Sequence, residues 1–214
     1  MFCGRMEIGG DADKVSLRLF LDNKHDEVTQ LIEFVVNRSH GSMTSIKFFD
    51  FVDVDDLLLI SQRCPGLEHF KIHMYYSNLP KLLFGKETVC VAISNLKELE
   101  GMDVQNEFID ETILEQIDEF CPNFTKLKIA GRVQENTATL ISKSLPKLRV
   151  LDISGTRIGR LALLVILKGC KELEHLDVSR CSPDWGRYRP LSEVIDGDDE
   201  IRKSAYHLKV FKWK

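Results

Sequence analysis

The chain has 214 residues, of which 43% are hydrophobic and 29% are charged, and its formal net charge is −4 at pH 7. This apolar content suits one folded domain and excludes an intrinsically disordered chain. The acidic balance gives no general attraction to nucleic acid or anionic membranes, both of which favour a basic surface. The longest apolar run, Leu161–Leu167, is also far too short to span a bilayer. We therefore expect neither a nucleic-acid partner nor a membrane partner.

The N-terminal region differs from the rest of the chain. Met1–Asp11 lacks the apolar stretch of a secretory signal, so we expect an intracellular protein, located in the nucleus, the cytoplasm or both. The following segment has the alternation of a β-strand. Its apolar residues are Val15, Leu17, Leu19 and Leu21. We predict that residues 1–25 form either a terminal cap or a worn repeat.

From residue 26 onward, a six-residue frame recurs with apolar residues at its first, fourth and sixth positions. The frames are Met43-Ile46-Phe48, Leu67-Phe70-Ile72, Leu96-Leu99-Gly101, Phe124-Leu127-Ile129, Leu148-Leu151-Ile153, Leu173-Leu176-Val178 and Leu208-Phe211-Trp213. Only Gly101 breaks the apolar rule. Most first positions are separated by distances typical of leucine-rich repeats, about 20–29 residues. The sequence thus predicts an α/β leucine-rich-repeat domain of about seven repeats over residues 26–214.

Each repeat combines the two periodicities of a helix–strand unit, a helical one before the frame and a strand-like one within it. Asp110–Cys121 places its apolar residues on one helical face, and Asp110 is suited to cap the first turn. Similar helical patterns precede other frames, at Asp55–Cys64, Gln134–Leu145 and Gly159–Cys170. The frame itself alternates like a strand with one buried face. We therefore predict a horseshoe-shaped solenoid with a parallel concave sheet and helices on the convex side, in which neighbouring repeats stabilise each other.

The cysteines fit the repeat without any special chemistry. Cys64, Cys121 and Cys170 each lie three residues before a frame, so they occupy equivalent positions at helix ends. Equivalent positions two repeats apart are too distant for a disulfide. The frame also places Cys170 inside and His175 on the opposite strand face, which disfavours a zinc site. We predict that these cysteines are small buried core residues and that the protein holds no metal.

Two insertions interrupt the array, at residues 73–86 and 181–200. The first contains His73, and the second contains Trp185 and Arg187 followed by the acidic run Asp196–Glu200. Insertions in solenoids emerge as loops on one face and often bind partners. A loop that packs its own aromatic residues over the last repeat is the alternative.

The sequence has no motif for catalysis, and we predict no enzymatic activity and no cofactor. Nucleophile-elbow, zinc-protease, phosphate-loop and dinucleotide-binding patterns are all missing from the sequence. A solenoid without a catalytic motif is more often a binding surface.

The third, fifth and seventh frame positions point toward the concave face because strand side chains alternate. In the third frame these positions are Glu98, Glu100 and Met102. The concave face and the second insertion supply our predicted partner-binding residues, which are Phe49, His69, Lys71, His73, Lys126, Lys128, His175, Trp185 and Arg187. Their mixed but locally basic charge favours an acidic or mixed protein segment over a nucleic acid. An ordinary solvated sheet face is the alternative.

The amino-acid sequences of the repeats resemble those of one family. The segments concerned are Cys64–Phe70, Cys121–Leu127, Leu145–Ser154, the helix phrase Leu57-x-x-Ile60-x-x-x-Cys64 and the closing stretch Asp199–Lys214. They resemble the cysteine-containing repeats of plant F-box/LRR-repeat proteins. The resemblance implies that the repeats select a protein substrate, while a separate F-box recruits the Skp-type adaptor and cullin of an SCF-type E3 ubiquitin ligase, for ubiquitin-dependent protein degradation.

The F-box itself is not recognisable in this sequence. Only residues 1–25 precede the first repeat helix, and Met1–Lys24 has no Leu-Pro-type F-box opening. We expect either a fragment of such a receptor or a free-standing repeat domain, and adaptor and cullin are partners only if the full-length protein contains an F-box.

Overall fold

A computed structural model provides the structure of the protein. It describes residues 7–9, 16–19, 25–48, 54–72, 85–183 and 191–214. Within these ranges, none of the helices is both long enough and apolar enough to cross a membrane. The chain divides into two compact units, Met1–Asp103 with Gln116–Phe124 and Val104–Glu115 with Thr125–Lys214.

The first unit combines helices with a mainly parallel set of strands. Its strands are β1 (Glu7–Gly9), β2 (Ser16–Leu19), β3 (Ser45–Phe48), β4 (His69–Ile72) and β5 (Gly101–Gln105), of which β5 has its last two residues in the second unit. Its helices are α1 (His25–Ser39), α2 (Val54–Arg63) and α3 (Lys86–Asn95). The strands follow the order β1-β2-β3-β4-β5. β1 is antiparallel to β2, whereas β2, β3 and β4 pair in parallel. α1 contacts α2, and α2 contacts α3, so the helices form a layer of their own.

The second unit repeats this arrangement. Its elements are β6 (Lys126–Ala130), β7 (Arg132–Val133), α5 (Glu135–Ser144), β8 (Val150–Asp152), β9 (Arg157–Ile158), α6 (Arg160–Gly169), β10 (His175–Asp177), α7 (Leu191–Gly197), α8 (Asp199–Ser204) and β11 (Val210–Lys212), while α4 (Glu111–Phe120) has residues in both units. β6, β8, β10 and β11 lie side by side in parallel. β7 and β9 form a separate two-stranded parallel ladder.

The structure confirms a mixed α/β chain with parallel strands. The helices expected from Asp55, Asp110, Gln134 and Gly159 are all present, with ends that differ by one residue. Asp110 caps α4 as predicted, because the backbone N–H of Thr112 donates to its Oδ1 at 3.0 Å.

One repeat frame is wrong by three residues. The N–H groups of Glu100 and Gly101 both donate to the carbonyl of Glu68. In other repeats the N–H groups of the second and third frame positions donate in this way, as Glu68 and His69 do to Thr44. Leu99 therefore occupies the first frame position, and Met102 and Val104 occupy the fourth and sixth. Met102 is 4% exposed and Val104 is fully buried. Gly101 therefore occupies the third frame position, where no apolar residue is expected.

The end of the preceding helix explains why the predicted frame begins three residues too early. The N–H of Leu99 donates to the carbonyl of Leu96, as the N–H of Leu67 does to Cys64. Leu96 is thus the counterpart of the cysteine that ends the helix, not the start of the frame. Because Leu96 and Leu99 are both apolar, the pattern alone accepts either residue.

The cysteines are core residues, as predicted. Cys64, Cys121 and Cys170 are each at most 2% exposed. The Cys121 thiol donates to the carbonyl of Leu96 at 3.3 Å, so this carbonyl at the end of the preceding helix accepts a second hydrogen bond. Burial raises the pKa of Cys121 and of Cys170 to about 12, so these thiols stay protonated at neutral pH.

Two predicted segments differ from the regular repeats. Ser16–Leu19 forms β2, but the choice between a cap and a worn repeat for residues 1–25 stays a prediction. The insertion predicted as a loop over residues 181–200 instead contains α7 and the start of α8. The physical reason is that Leu191 and Ile195 lie one helical turn apart and are both buried. Residues 73–84 of the other insertion lie outside the described residues.

A close approach between α5 and α6 gives a stability test. A Cβ added at Gly169 would lie 2.5 Å from the Cβ of Ser142, so we expect Gly169→Ala to cost about 1–3 kcal/mol of unfolding free energy, measured by urea unfolding. Gly197, which also ends a helix, has open space around it. Gly197→Ala should be neutral or stabilise by up to about 1 kcal/mol. A Gly169→Ala protein as stable as the wild type would contradict the packing.

Candidate functional site

Each unit presents a polar sheet face, formed by the third, fifth and seventh frame positions. On β4, Phe70 and Ile72 are 2% exposed, whereas His69 and Lys71 are half-buried and face away from the core. This alternation follows from the period of two in a strand. The predicted binding residues of β4, β6 and β10 lie at these positions.

The polar sheet face of the first unit contains a lysine pair and one ion pair. Lys71 Nζ lies 2.6 Å from Asp103 on β5, and His69 Nε2 lies 3.9 Å from Glu100. Lys47 on β3 is in register with Lys71 on β4. Two cations therefore occupy neighbouring strands at the fifth position, and Asp103 forms an ion pair with Lys71.

The polar sheet face of the second unit has a row of four charged groups at the fifth position, with two aspartates between two lysines. Lys128 pairs with Asp152, and Lys212 Nζ lies 2.9 Å from Asp177. Asp152 and Asp177 are themselves register partners on β8 and β10. Each lysine thus compensates one of two adjacent carboxylates, which stabilises the row.

The two aspartates also accept backbone hydrogen bonds. The N–H of Ser154 donates to Asp152 at 2.9 Å, and the N–H of Ser179 donates to Asp177 at 2.8 Å. Burial disfavours the charged form of Asp152, but the bonds from Lys128 and Ser154 outweigh it and hold its pKa below the ordinary value. Burial acts on Asp177 in the same way, and its bonds from Ser179 and Lys212 likewise lower its pKa.

The predicted binding residues form two groups, one in each unit. His69 and Lys71 lie together on β4 of the first unit. Lys126 and Lys128 lie on β6 and His175 lies on β10 of the second unit. The remaining four lie outside the described residues, and these are Phe49, His73, Trp185 and Arg187.

The corrected frame changes the charges of the polar sheet face. Glu98, Glu100 and Met102 are not its third, fifth and seventh positions in that repeat. The residues at these positions are Gly101, Asp103 and Gln105. Sequence reasoning therefore missed Asp103, which neutralises Lys71. The signal that identifies it is the hydrogen-bond register of Glu100 and Gly101, which the apolar pattern does not contain.

The acidic run at the end of the second insertion has a local structural role. Asp198 caps α8 by accepting the N–H groups of Glu200 and Ile201 at 3.0 and 3.2 Å. Arg160 on α6 pairs with both Asp198 and Glu200. These acids attach α8 to α6 instead of forming a solvated loop.

The described ranges contain no group of three His, Cys, Asp or Glu side chains that could hold a metal ion. Lys71, Lys128 and Lys212 on the polar sheet face each form an ion pair with an aspartate. The arrangement therefore offers hydrogen-bonding and charged groups for a macromolecular surface.

Comparison with known proteins shows which proteins the chain is similar to. No protein-family model matches the chain. The chain is 30% identical over 199 residues to an F-box/LRR-repeat protein of Arabidopsis thaliana, which covers 90% of the chain and 62% of that relative. The chain is a homologue of the plant F-box/LRR-repeat proteins.

Other relatives from the same plant agree. Putative F-box/LRR-repeat protein 23 is 26% identical over 178 residues, with 77% of the chain and 38% of the relative covered. F-box protein SKIP19 is 28% identical over 175 residues, with 80% and 53% covered. The resemblance to F-box/LRR-repeat proteins is therefore confirmed, and the chain spans between 38% and 62% of the length of these three relatives.

The aspartates of the polar sheet face predict a pH dependence of stability. Because the folded pKa of Asp152 is below the ordinary 3.8, its contribution is present above that value and is lost as the pH falls through the lower folded pKa. We expect Asp152→Asn to lower the unfolding free energy at pH 6, with the difference from wild type shrinking as the pH falls below about 4. Urea unfolding across this pH range measures it.

The matched control is Asp118→Asn, which removes an exposed carboxylate on α4 that forms no ion pair within the described part of the chain. It should not reproduce the pH-dependent difference. If the unfolding free energies of wild type and Asp152→Asn differed by the same amount at every pH, Asp152 would stabilise the fold through its shape and not through its charge.

Proposed function

We propose that the chain is the substrate-recognition repeat region of an SCF-type E3 ubiquitin ligase receptor, and that it binds a protein substrate on its polar sheet face without catalysis of its own. The observation that supports this most is the homology to proteins named for both an F-box and leucine-rich repeats. The surface agrees with this role, because in-register strands present hydrogen-bonding and charged groups on one face and bury apolar groups on the other.

The proposal includes the shape and place of action expected from the sequence. The repeats would form one horseshoe-shaped solenoid whose concave side is the polar sheet face, and the protein would act in the nucleus or the cytoplasm. Support for the solenoid comes from the same strand register in successive repeats of each unit, such as Ile46 with Phe70 and Leu127 with Leu151.

The ion pairs restrict which cations can attract an acidic partner. Lys71 and Lys128 are already compensated by Asp103 and Asp152. Lys47 is half-buried beside Lys71, and no acidic partner of Lys47 occurs among the residues that the structure describes. Lys47 is therefore the better position at which to test binding of an acidic or mixed protein segment.

Charge reversal at Lys47 separates binding from folding. Lys47→Glu would place a carboxylate in register with Lys71, so we expect the folded state to be unchanged or slightly stabilised. Binding of an acidic partner should weaken by about tenfold, because one attraction becomes a repulsion. The measurement is quantitative capture of substrate by the immobilised chain, together with thermal melting of each variant.

The control is Glu115→Ala, which changes an exposed charge on α4 away from the polar sheet face. It should leave capture unchanged. Equal effects of Lys47→Glu and Glu115→Ala on capture would contradict binding at the polar sheet face.

Adaptor binding distinguishes a ligase receptor from the second candidate, a free-standing repeat scaffold or a competitor that binds substrate without delivering it. The full-length protein should co-purify with a Skp-type adaptor and cullin if it contains an F-box. Substrate capture without adaptor from the full-length protein would favour the scaffold.

A further inference from the structure

The apolar core of the second unit is exposed at β11, the last strand of its sheet. In the preceding frame the first, fourth and sixth positions are at most 1% exposed, and these are Leu173, Leu176 and Val178. The equivalent residues of the last frame are only half-buried, and these are Leu208, Phe211 and Trp213. Within the described ranges the sheet order ends at β11, so no further strand covers these side chains.

The outer edge of β11 also presents backbone hydrogen-bonding groups. The N–H of Val210 donates to the carbonyl of Glu174 at 3.0 Å, and the carbonyl of Lys212 accepts the N–H of Val178 at 2.7 Å. Val210 and Lys212 therefore direct their backbone groups toward β10. Because successive residues of a strand direct these groups to opposite sides, the N–H and the carbonyl of Phe211 point away from β10. Phe211 thus offers one donor and one acceptor at the outer edge.

The lysines of this edge do not carry a free charge. Edge lysines normally discourage pairing between the sheets of two molecules, because like charges would meet. Here each lysine forms an ion pair with an acid of the same unit, at 2.8, 2.9 and 3.3 Å, and the pairs are Lys209 with Glu174, Lys212 with Asp177 and Lys214 with Asp196. The usual electrostatic protection of an edge strand is therefore weakened at β11.

The aromatic side chains at the edge are held in place. The ring centroids of Phe211 and Trp213 lie 5.0 Å apart, and Trp213 Nε1 donates to Asp196 on α7 at 3.0 Å. Side chains that are already ordered lose less entropy when a partner covers them. The edge is thus arranged for association before any partner arrives.

The sequence of β11 is complementary to itself in an antiparallel pair. If a two-fold axis passes beside Phe211, the two Phe211 residues exchange both N–H to carbonyl bonds. Val210 of each copy then lies opposite Lys212 of the other, and Lys209 lies opposite Trp213, where an ammonium group can contact the indole ring. Lys214 lies opposite Leu208. No lysine directly opposes another lysine in this register.

We propose that β11 pairs with β11 of a second copy of this chain, so that the protein forms a homodimer through an antiparallel sheet edge. The strand has only three residues, and we therefore expect a weak dimer whose population depends on concentration. An extended segment of another protein is the other occupant of such an edge. A second copy is favoured because residues 208–214 already supply a complementary strand.

A charge placed at Val210 tests the register. Val210 is 44% exposed, so its replacement leaves the core intact. Val210→Lys would oppose Lys212 of the second copy twice by symmetry, and we expect the dissociation constant to rise about tenfold. Val210→Glu should lower the dissociation constant instead, because opposite charges would meet. Sedimentation velocity of the full chain over a range of concentrations measures both changes.

The matched control is Leu161→Lys, which adds the same charge at a residue of α6 that is 55% exposed. It should leave the dissociation constant unchanged. Equal effects of Val210→Lys and Leu161→Lys would show that net charge, and not pairing at β11, controls the association.

Proline at position 211 tests the backbone contact separately. Phe211→Pro removes the N–H that points outward and no hydrogen bond to β10, so we expect dimerisation to be lost. Phe211→Leu keeps that N–H and introduces the residue type of its register partner Leu176, so it should still dimerise. Thermal melting of dilute samples checks that both variants are folded, and the Val210 variants decide the matter if the proline variant is not.

Amide hydrogen exchange locates the contact. The exchange of the Phe211 amide should slow as the protein concentration rises, whereas the Val210 amide, which already bonds to Glu174, should be slow at every concentration.

Two further results would overturn the dimer. One is a chain that stays monomeric up to its solubility limit, including a monomer that binds extended peptides at β11. The other is a Phe211 amide that is protected even in the monomer, which would mean that another segment of the chain covers the edge. Substrate capture by the Lys47→Glu protein is a separate measurement, so the dimer and the proposed function can fail independently.

Discussion

In-register stacking of parallel strands is the constraint on which each unit depends. Leu127, Leu151 and Leu176 are register partners and are all at most 1% exposed. Because strand side chains alternate, a slip of one residue would move these leucines to the polar sheet face and bring charged residues into the core. The Cys64 and Cys121 thiols each reach the preceding repeat, where they contact Ser39 and Leu96.

Register also determines the charges that the surface presents. At the fifth frame position it brings lysines and aspartates together, and the Lys128–Asp152 and Lys212–Asp177 pairs compensate each other. Beyond the ends of these strands it places Arg132 and Arg157 in register. The paired charges stabilise the fold. Recognition is thus expected where stacking leaves charge unbalanced.

The apolar frame was sufficient to predict the strands, the helices and the buried cysteines, because burial requires a fixed spacing of apolar groups. It failed at Leu99, where two leucines three residues apart satisfy the frame equally well and only the helix end distinguishes them. The binding site was harder to predict, since ion pairs such as Lys71 with Asp103 depend on the register between strands. The positive φ of 57° at Arg180 is a backbone property that residue type does not reveal.

The most direct test of the stacking register is the unfolding free energy of Met102→Lys compared with Gln105→Lys. Met102 is 4% exposed at a core position, so a lysine there should cost at least about 3 kcal/mol or prevent folding. Gln105 is half-buried on the polar sheet face, and its replacement by lysine should change stability by no more than about 0.5 kcal/mol. A Met102→Lys protein as stable as Gln105→Lys would place Met102 on the surface and contradict the register.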